Sequence, residues 1–161
     1  DVVSFDFGIS YHGMITDSAF TMVIDEEPKG DIKRLIEATE ASLYAGLEEI
    51  DAGDHIGDIS ESIQAVLEQA HLGIIRELVG HGVGHDVHEM PDIPNYGKNN
   101  TGPTLKKHMT IAVEPMATLG SNKIKTDSDG WTIRTADGSL SAHFEHTVLV
   151  LEDGCEILTS L

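Results

Sequence analysis

Four acidic residues stand inside segments that otherwise read as β-strand. Asp6 lies in VVSFDFGIS, Asp17 in ITDSAFTMVI, Glu114 in MTIAVEPMATL and Glu145 in SAHFEHTVLV. β-Branched and aromatic neighbours favour a pleated strand, where an unpaired buried carboxylate is costly. Alternation in the first segment points Phe5, Phe7 and Ile9 one way and Ser4, Asp6 and Gly8 the other. The turn YHGM, with Gly13 free to take positive φ, joins the first two segments into a hairpin. Either register of that hairpin sets Asp6 and Asp17 opposite or diagonal to one another. A single acid in a strand can be an edge residue facing water. Four of them ask for a fold whose strands converge on one site.

The stretch ELVGHGVGHDVHEMP adds His81, His85 and His88. Glycines at 80, 82 and 84 rule out a helix that presents two histidines to zinc. Four carboxylates and one glycine-flanked imidazole form a hard, oxygen-rich donor set. It suits two divalent ions, Co, Mn, Fe or Zn, better than a structural zinc site.

Around these segments the pattern is α+β. Ile32, Leu35, Ile36, Thr39, Leu43, Leu47 and Ile50 recur at helical spacing, so a helix is expected from residue 31 to about 50. A second helix is expected from Asp58, where Asp58 and Glu61 have capping-box spacing, with Ile59, Ile63, Val66 and Leu67 buried. IIRELV is expected as a short strand, the region from Pro91 to about Thr104 as a loop, and MTIAVEPMATL as one strand. The remainder reads as strands separated by Asp-Gly turns.

The 161 residues suit one domain with a real core. With 28 Asp and Glu against 10 Lys and Arg, the formal charge is −18, which excludes nucleic-acid binding through a broad basic face. No apolar run is long enough to span a bilayer. The single cysteine, Cys155, excludes an intrachain disulfide and makes a reducing compartment the default. The chain begins at Asp1, directly on a strand, so a preceding segment is expected.

GHGVGHDVHEMPDIPNY, MTIAVEPM and DGWTIRTADGSLSAHFEHTVLV together resemble type I methionine aminopeptidases, metallopeptidases of the pita-bread fold. The resemblance runs from Asp1 to Leu161. It implies a single catalytic domain, 1–161, lacking its N-terminal part: an antiparallel sheet with helices packed outside. It implies two metal ions held by Asp6, Asp17, His81, Glu114 and Glu145, with Asp17 and Glu145 bridging. It implies that Glu114 shuttles a proton and that His88 helps polarise the scissile carbonyl. Met116 and Trp131 resemble walls of a methionine pocket. His85 is read as a surface residue. His143 falls on Glu145's face and His146 opposite, with no role beyond supporting the ligands.

The implied activity is removal of initiator methionine from peptides and nascent chains in the cytoplasm, with transient contact with the ribosome and no membrane. Two other readings stand beside it: an Xaa-Pro or general aminopeptidase of the same fold, and a truncated metal-binding fragment with little activity. Three departures from the family bear on substrate binding. No residue before Asp1 supplies the usual upstream histidine, Val87 replaces a frequent aromatic, and Gly8 replaces a common threonine.

Overall fold

The computed structural model describes residues 1–160; Leu161, the last residue of the expected domain, lies outside the described residues. Two ten-residue strands open the chain, β1 (Val2–Tyr11) and β2 (Met14–Val23). Helices α1 (Gly30–Leu47) and α2 (Ile56–Gln69) follow. Short strands make up the rest: β3 (Gly73–Ile74), β4 (Gly80–Gly82), β5 (Glu89–Ile93), β6 (Thr110–Val113), β7 (Met116–Thr118), β8 (Ile124–Thr126), β9 (Ile133–Thr135), β10 (Ser141–His143), β11 (Glu145–Val150) and β12 (Cys155–Ile157). The main sheet runs β1-β2-β11-β6-β4-β5, with β12 added on β11. A second sheet, β10-β7-β3, and the β8–β9 ribbon complete it, and every pairing is antiparallel.

Both helices cover one side of the main sheet. Leu35, Leu43 and Leu47 of α1 and Ile59, Ile63 and Leu67 of α2 are buried in one core with Ile111, Val113, Val148 and Val150 of β6 and β11. Each large aliphatic side chain so buried contributes about 1.5–3 kcal/mol of transfer free energy. The helices pack tightly because residue 46 is glycine: a Cβ there would stand 2.8 Å from Ile63 Cγ1. The helical coverage stops short of the β1–β2 hairpin. There Phe5, Phe7 and Phe20 stack on one another, with Phe7 and Phe20 exposed.

Several expected boundaries are corrected. α1 ends at Leu47, and Ile50 is buried beyond it. α2 starts two residues before Asp58; His55 is its cap, and its backbone N–H donates to Asp58 Oδ2 at 2.7 Å. The reciprocal partner is thus Asp58 itself, not Glu61. Val66 is only half-buried. Of IIRELV only the first residue is strand, and Pro91–Ile93 belong to β5 rather than a loop. MTIAVEPMATL divides at Glu114-Pro115 into β6 and β7, which lie in different sheets. Proline cannot donate to a ladder, so a break falls there. The last segment also breaks, at Phe144, between β10 and β11. These two breaks let the sheet curl, and both fall beside a carboxylate of the expected site.

Candidate metal centre and active site

The curved face opposite the helices carries the donors in adjacent rows. Asp6 pairs with Ala19, and Ala19 with Glu145. Two residues along, Gly8 pairs with Asp17; on the far side of β11, Thr147 pairs with Ala112 and Ala112 with His81. Residues two apart on a strand share a face, so both rows present their side chains to the same space. Asp6 and Asp17 are therefore diagonal. Glu114 follows β6 directly and reaches His81, whose Nε2 lies 3.7 Å from Glu114 Oε1.

Backbone clamps hold these positions. The Asp17 N–H donates to Thr147 Oγ1 at 2.8 Å, and the Thr147 hydroxyl donates to the Asp17 carbonyl at 2.7 Å. Buried Asn95 donates from Nδ2 to the Glu114 carbonyl at 3.0 Å. Glycines 80 and 82 are required by packing: a Cβ at either would collide with the Ala112 or the Met90 carbonyl oxygen. His81 Nδ1 lies 2.9 Å from the Gly82 carbonyl, which can only accept. That fixes the proton on Nδ1 and leaves the Nε2 lone pair facing the carboxylates.

The electrostatics are those of a site short of positive charge. Glu145 is 2% exposed and its Oε1 has no hydrogen-bond partner. Burial, then the nearby Glu114, Asp17 and Asp6 carboxylates, push its pKa up to about 9. Burial and the neighbouring Asp17 and Glu114 also raise that of Asp6, against a lowering by His143. The ligand atoms of Asp17, His81 and Glu145 lie within 4.8 Å of one another, as do those of Glu114, His143 and Glu145. An orphaned buried carboxylate oxygen in a set of oxygen and imidazole donors fits a divalent cation.

Above the donors a cleft of about 890 Å³ is lined by Ser4, Asp6, Leu78, His81, His88, Glu114, Met116, Trp131, Ile133 and His143, among others. His88 stands at its exposed mouth, its ring centroid 4.3 Å from that of His81. Met116 is half-buried and Trp131 is 86% exposed, so the tryptophan wall is open to solvent on its outer side. The five expected metal ligands and the three expected substrate residues all meet at this cleft or beneath it. His85 is exposed, and its backbone N–H donates to Glu89 Oε1 at 2.7 Å. His146 points to the helix side, where its Nδ1 and Thr159 Oγ1 are 2.8 Å apart. Asn95 and Thr147 were not legible as parts of the site. No spacing marks a clamp that acts through the backbone of a residue distant in sequence.

The family model described as metallopeptidase family M24 matches residues 1–152. Methionine aminopeptidase 1 of Bacillus subtilis is 46% identical over 159 residues, covering 99% of this chain and 64% of that protein. The solved methionine aminopeptidase of Thermotoga maritima superposes with a TM-score of 0.96 at 44% identity, covering all of this chain and 64% of that one. Prolidase from Pyrococcus furiosus shares the fold, with a TM-score of 0.78 at 23% identity. The chain thus spans about 64% of the length of the methionine aminopeptidases it matches.

Proposed function

The chain belongs to metallopeptidase family M24, and from that premise we propose that it removes the N-terminal methionine from peptides and nascent proteins. The observation that carries the reading is the convergence of Asp6, Asp17, His81, Glu114 and Glu145, with a buried, unpaired carboxyl at its centre. These five residues would hold two divalent cations, Co, Mn, Fe or Zn. Asp17 and Glu145 would be shared between them. The cations, when bound, supply Lewis acidity toward water and the peptide carbonyl, and positive charge that offsets the clustered carboxylates.

The protein's own groups do the rest. His81, locked as the Nδ1–H tautomer by the Gly82 carbonyl, keeps a fixed donor aimed inward. Glu114, on the cleft wall, takes the proton of the attacking water and passes it to the leaving amine. His88, at the mouth, donates to the carbonyl oxygen as negative charge develops on it. Met116 and Trp131 offer polarizable surface to a thioether side chain, with Leu78 and Ile133 beside them. Substrates are new chains with a free α-amine, met in the cytoplasm during transient contact with the ribosome. No helix among the described residues is long and apolar enough to cross a membrane.

Metal-reconstituted chain offered Met-Ala-Ser and a panel of Xaa-Pro peptides tests the reading. Release of methionine from the first, with the Xaa-Pro peptides left intact, is expected. Preferential Xaa-Pro cleavage would move the assignment to another peptidase of the fold. Full metal occupancy without cleavage of either would leave only metal binding.

A further inference from the structure

His143 is left over by the five-residue donor set, yet it is placed as carefully as the donors. Its row runs from Ser4 through Thr21 to His143 and Met116, next to the row of Asp6 and Glu145. Thr21 holds its backbone as Thr147 holds that of Asp17. The His143 N–H donates to Thr21 Oγ1 at 2.9 Å, and the Thr21 hydroxyl donates to the His143 carbonyl at 2.8 Å. Threonine clamps thus tie β10 to β2 at His143 and β2 to β11 at Asp17, in the rows on either side of Asp6 and Glu145.

The imidazole lies among carboxylates without bonding to any. His143 Nε2 is 3.2 Å from Glu114 Oε2 and 4.0 Å from Glu145 Oε2. Nε2 is buried, and no hydrogen bond from a ring N–H joins it to Glu114 Oε2 although that oxygen is within reach; Glu145 Oε2 is beyond bonding distance. A histidine serving only to hold Glu114 would aim that N–H at the carboxylate. Two donors each about 2.1 Å from one cation, at octahedral to tetrahedral angles, stand about 3.0–3.4 Å apart. The His143–Glu114 separation falls in that range.

We propose that His143 is a sixth metal donor, with Nε2 ligating the cation that sits between Glu114 and Glu145. This rests on the metal reading above and extends it. The ligand atoms fall into two close groups, Asp17-His81-Glu145 and Glu114-His143-Glu145, and Asp6 with the shared Asp17 completes the set. Each contains one imidazole, and Glu145 belongs to both. Two nitrogen donors in place of one shift the centre toward borderline cations such as Co, Fe and Zn, and away from all-oxygen ions.

The test uses wild-type chain loaded with two equivalents of Co²⁺ and labelled with ¹⁵N at its histidine rings. Proton NMR counts the hyperfine-shifted histidine rings. Two are expected, and His143→Gln should leave one, with the dissociation constant of the weaker Co²⁺ ion raised about 10–100-fold. A single shifted ring in wild-type protein that binds Co²⁺ would overturn the sixth donor and leave the five-residue set standing. Two rings retained in His143→Gln at unchanged affinity would do the same. Failure of the wild type to bind Co²⁺ at all would overturn both.

Discussion

Glu145 on β11 and Asp137, in the turn after β9, are carboxylates close in sequence and opposite in treatment. Asp137 accepts the Ser121 N–H at 2.6 Å and the Ser139 N–H at 3.0 Å. Those bonds hold its pKa down at about 2. Asp129 in the β8–β9 ribbon is treated alike: it accepts the Thr132 hydroxyl at 2.6 Å and the Trp131 N–H at 2.9 Å, and its pKa is lowered. Glu145 receives no bond on Oε1, is buried, and faces three other carboxylates, so its pKa rises to about 9. The same functional group serves as a structural clip where the backbone satisfies it. Where the protein leaves it crowded and unpaired, the proposed cations would supply the missing charge.

Removing the carboxylate proposed to carry the proton has the largest expected effect. Glu114→Gln should lower kcat for Met-Ala-Ser by about 10²–10⁴-fold with KM little changed, measured at matched metal content. A fall in KM-limited binding alone would assign Glu114 to positioning rather than proton transfer.

Metal should stabilise the fold through the cluster and ignore the clips. At a hundred times the dissociation constant, a bound ion adds about 2.7 kcal/mol, or roughly 5–10 °C in Tm for a domain of this size. Glu145→Gln and Asp17→Asn should abolish the rise seen by calorimetry with Mn²⁺, and Asp137→Asn should keep it. A metal response that survives Glu145→Gln would break the distinction between the two regions.

The regions should also respond to pH in opposite directions. In metal-free protein Glu145 keeps its proton to about pH 9 while the unfolded chain loses it near the ordinary carboxyl value of 4.5. Folded protein then binds the extra proton, so stability falls as pH rises through that window, by up to about 1.4 kcal/mol per pH unit. Asp137 has the opposite sign. Its contribution is present above pH 3.8 and is lost as pH falls toward about 2. Urea titrations from pH 5 to 9 should show the alkaline decline in wild type and a flatter profile in Glu145→Gln.

The smallest effect is expected at the clip. Asp137→Asn should speed amide exchange at Ser121 and Ser139 and lower Tm slightly, without altering metal binding. Unchanged exchange at those two amides would show that the turn does not depend on the carboxylate.

The crowded side of this contrast was legible in the sequence, and for physical reasons. Asp6, Asp17, Glu114 and Glu145 violate strand composition, and such violations cluster where function overrides folding. Period-two alternation set Asp6 on the face of Ser4 and Gly8 and His143 on the face of Glu145. What failed to show was long-range. MTIAVEPMATL has the composition of one strand, and only the ladder-breaking Pro115 hints that β6 and β7 separate. β8 was too short and polar to register. The clamps from Thr21, Thr147 and Asn95 act on backbone atoms of residues distant in sequence, which leaves no local pattern. His143 could be placed on Glu145's face by alternation, but its unpartnered nitrogen depends on how β10 meets β7.

Equilibrium dialysis of metal-free protein against Mn²⁺ at pH 7, reading ions bound and protons released per chain, bears most directly on the claim that Glu145 waits for an outside charge. Two bound ions are expected, with close to one proton released as the Glu145 carboxyl ionises, and both quantities should fall in Glu145→Gln while Asp137→Asn matches wild type. No bound Mn²⁺, or equal binding by wild type and Glu145→Gln, would contradict it.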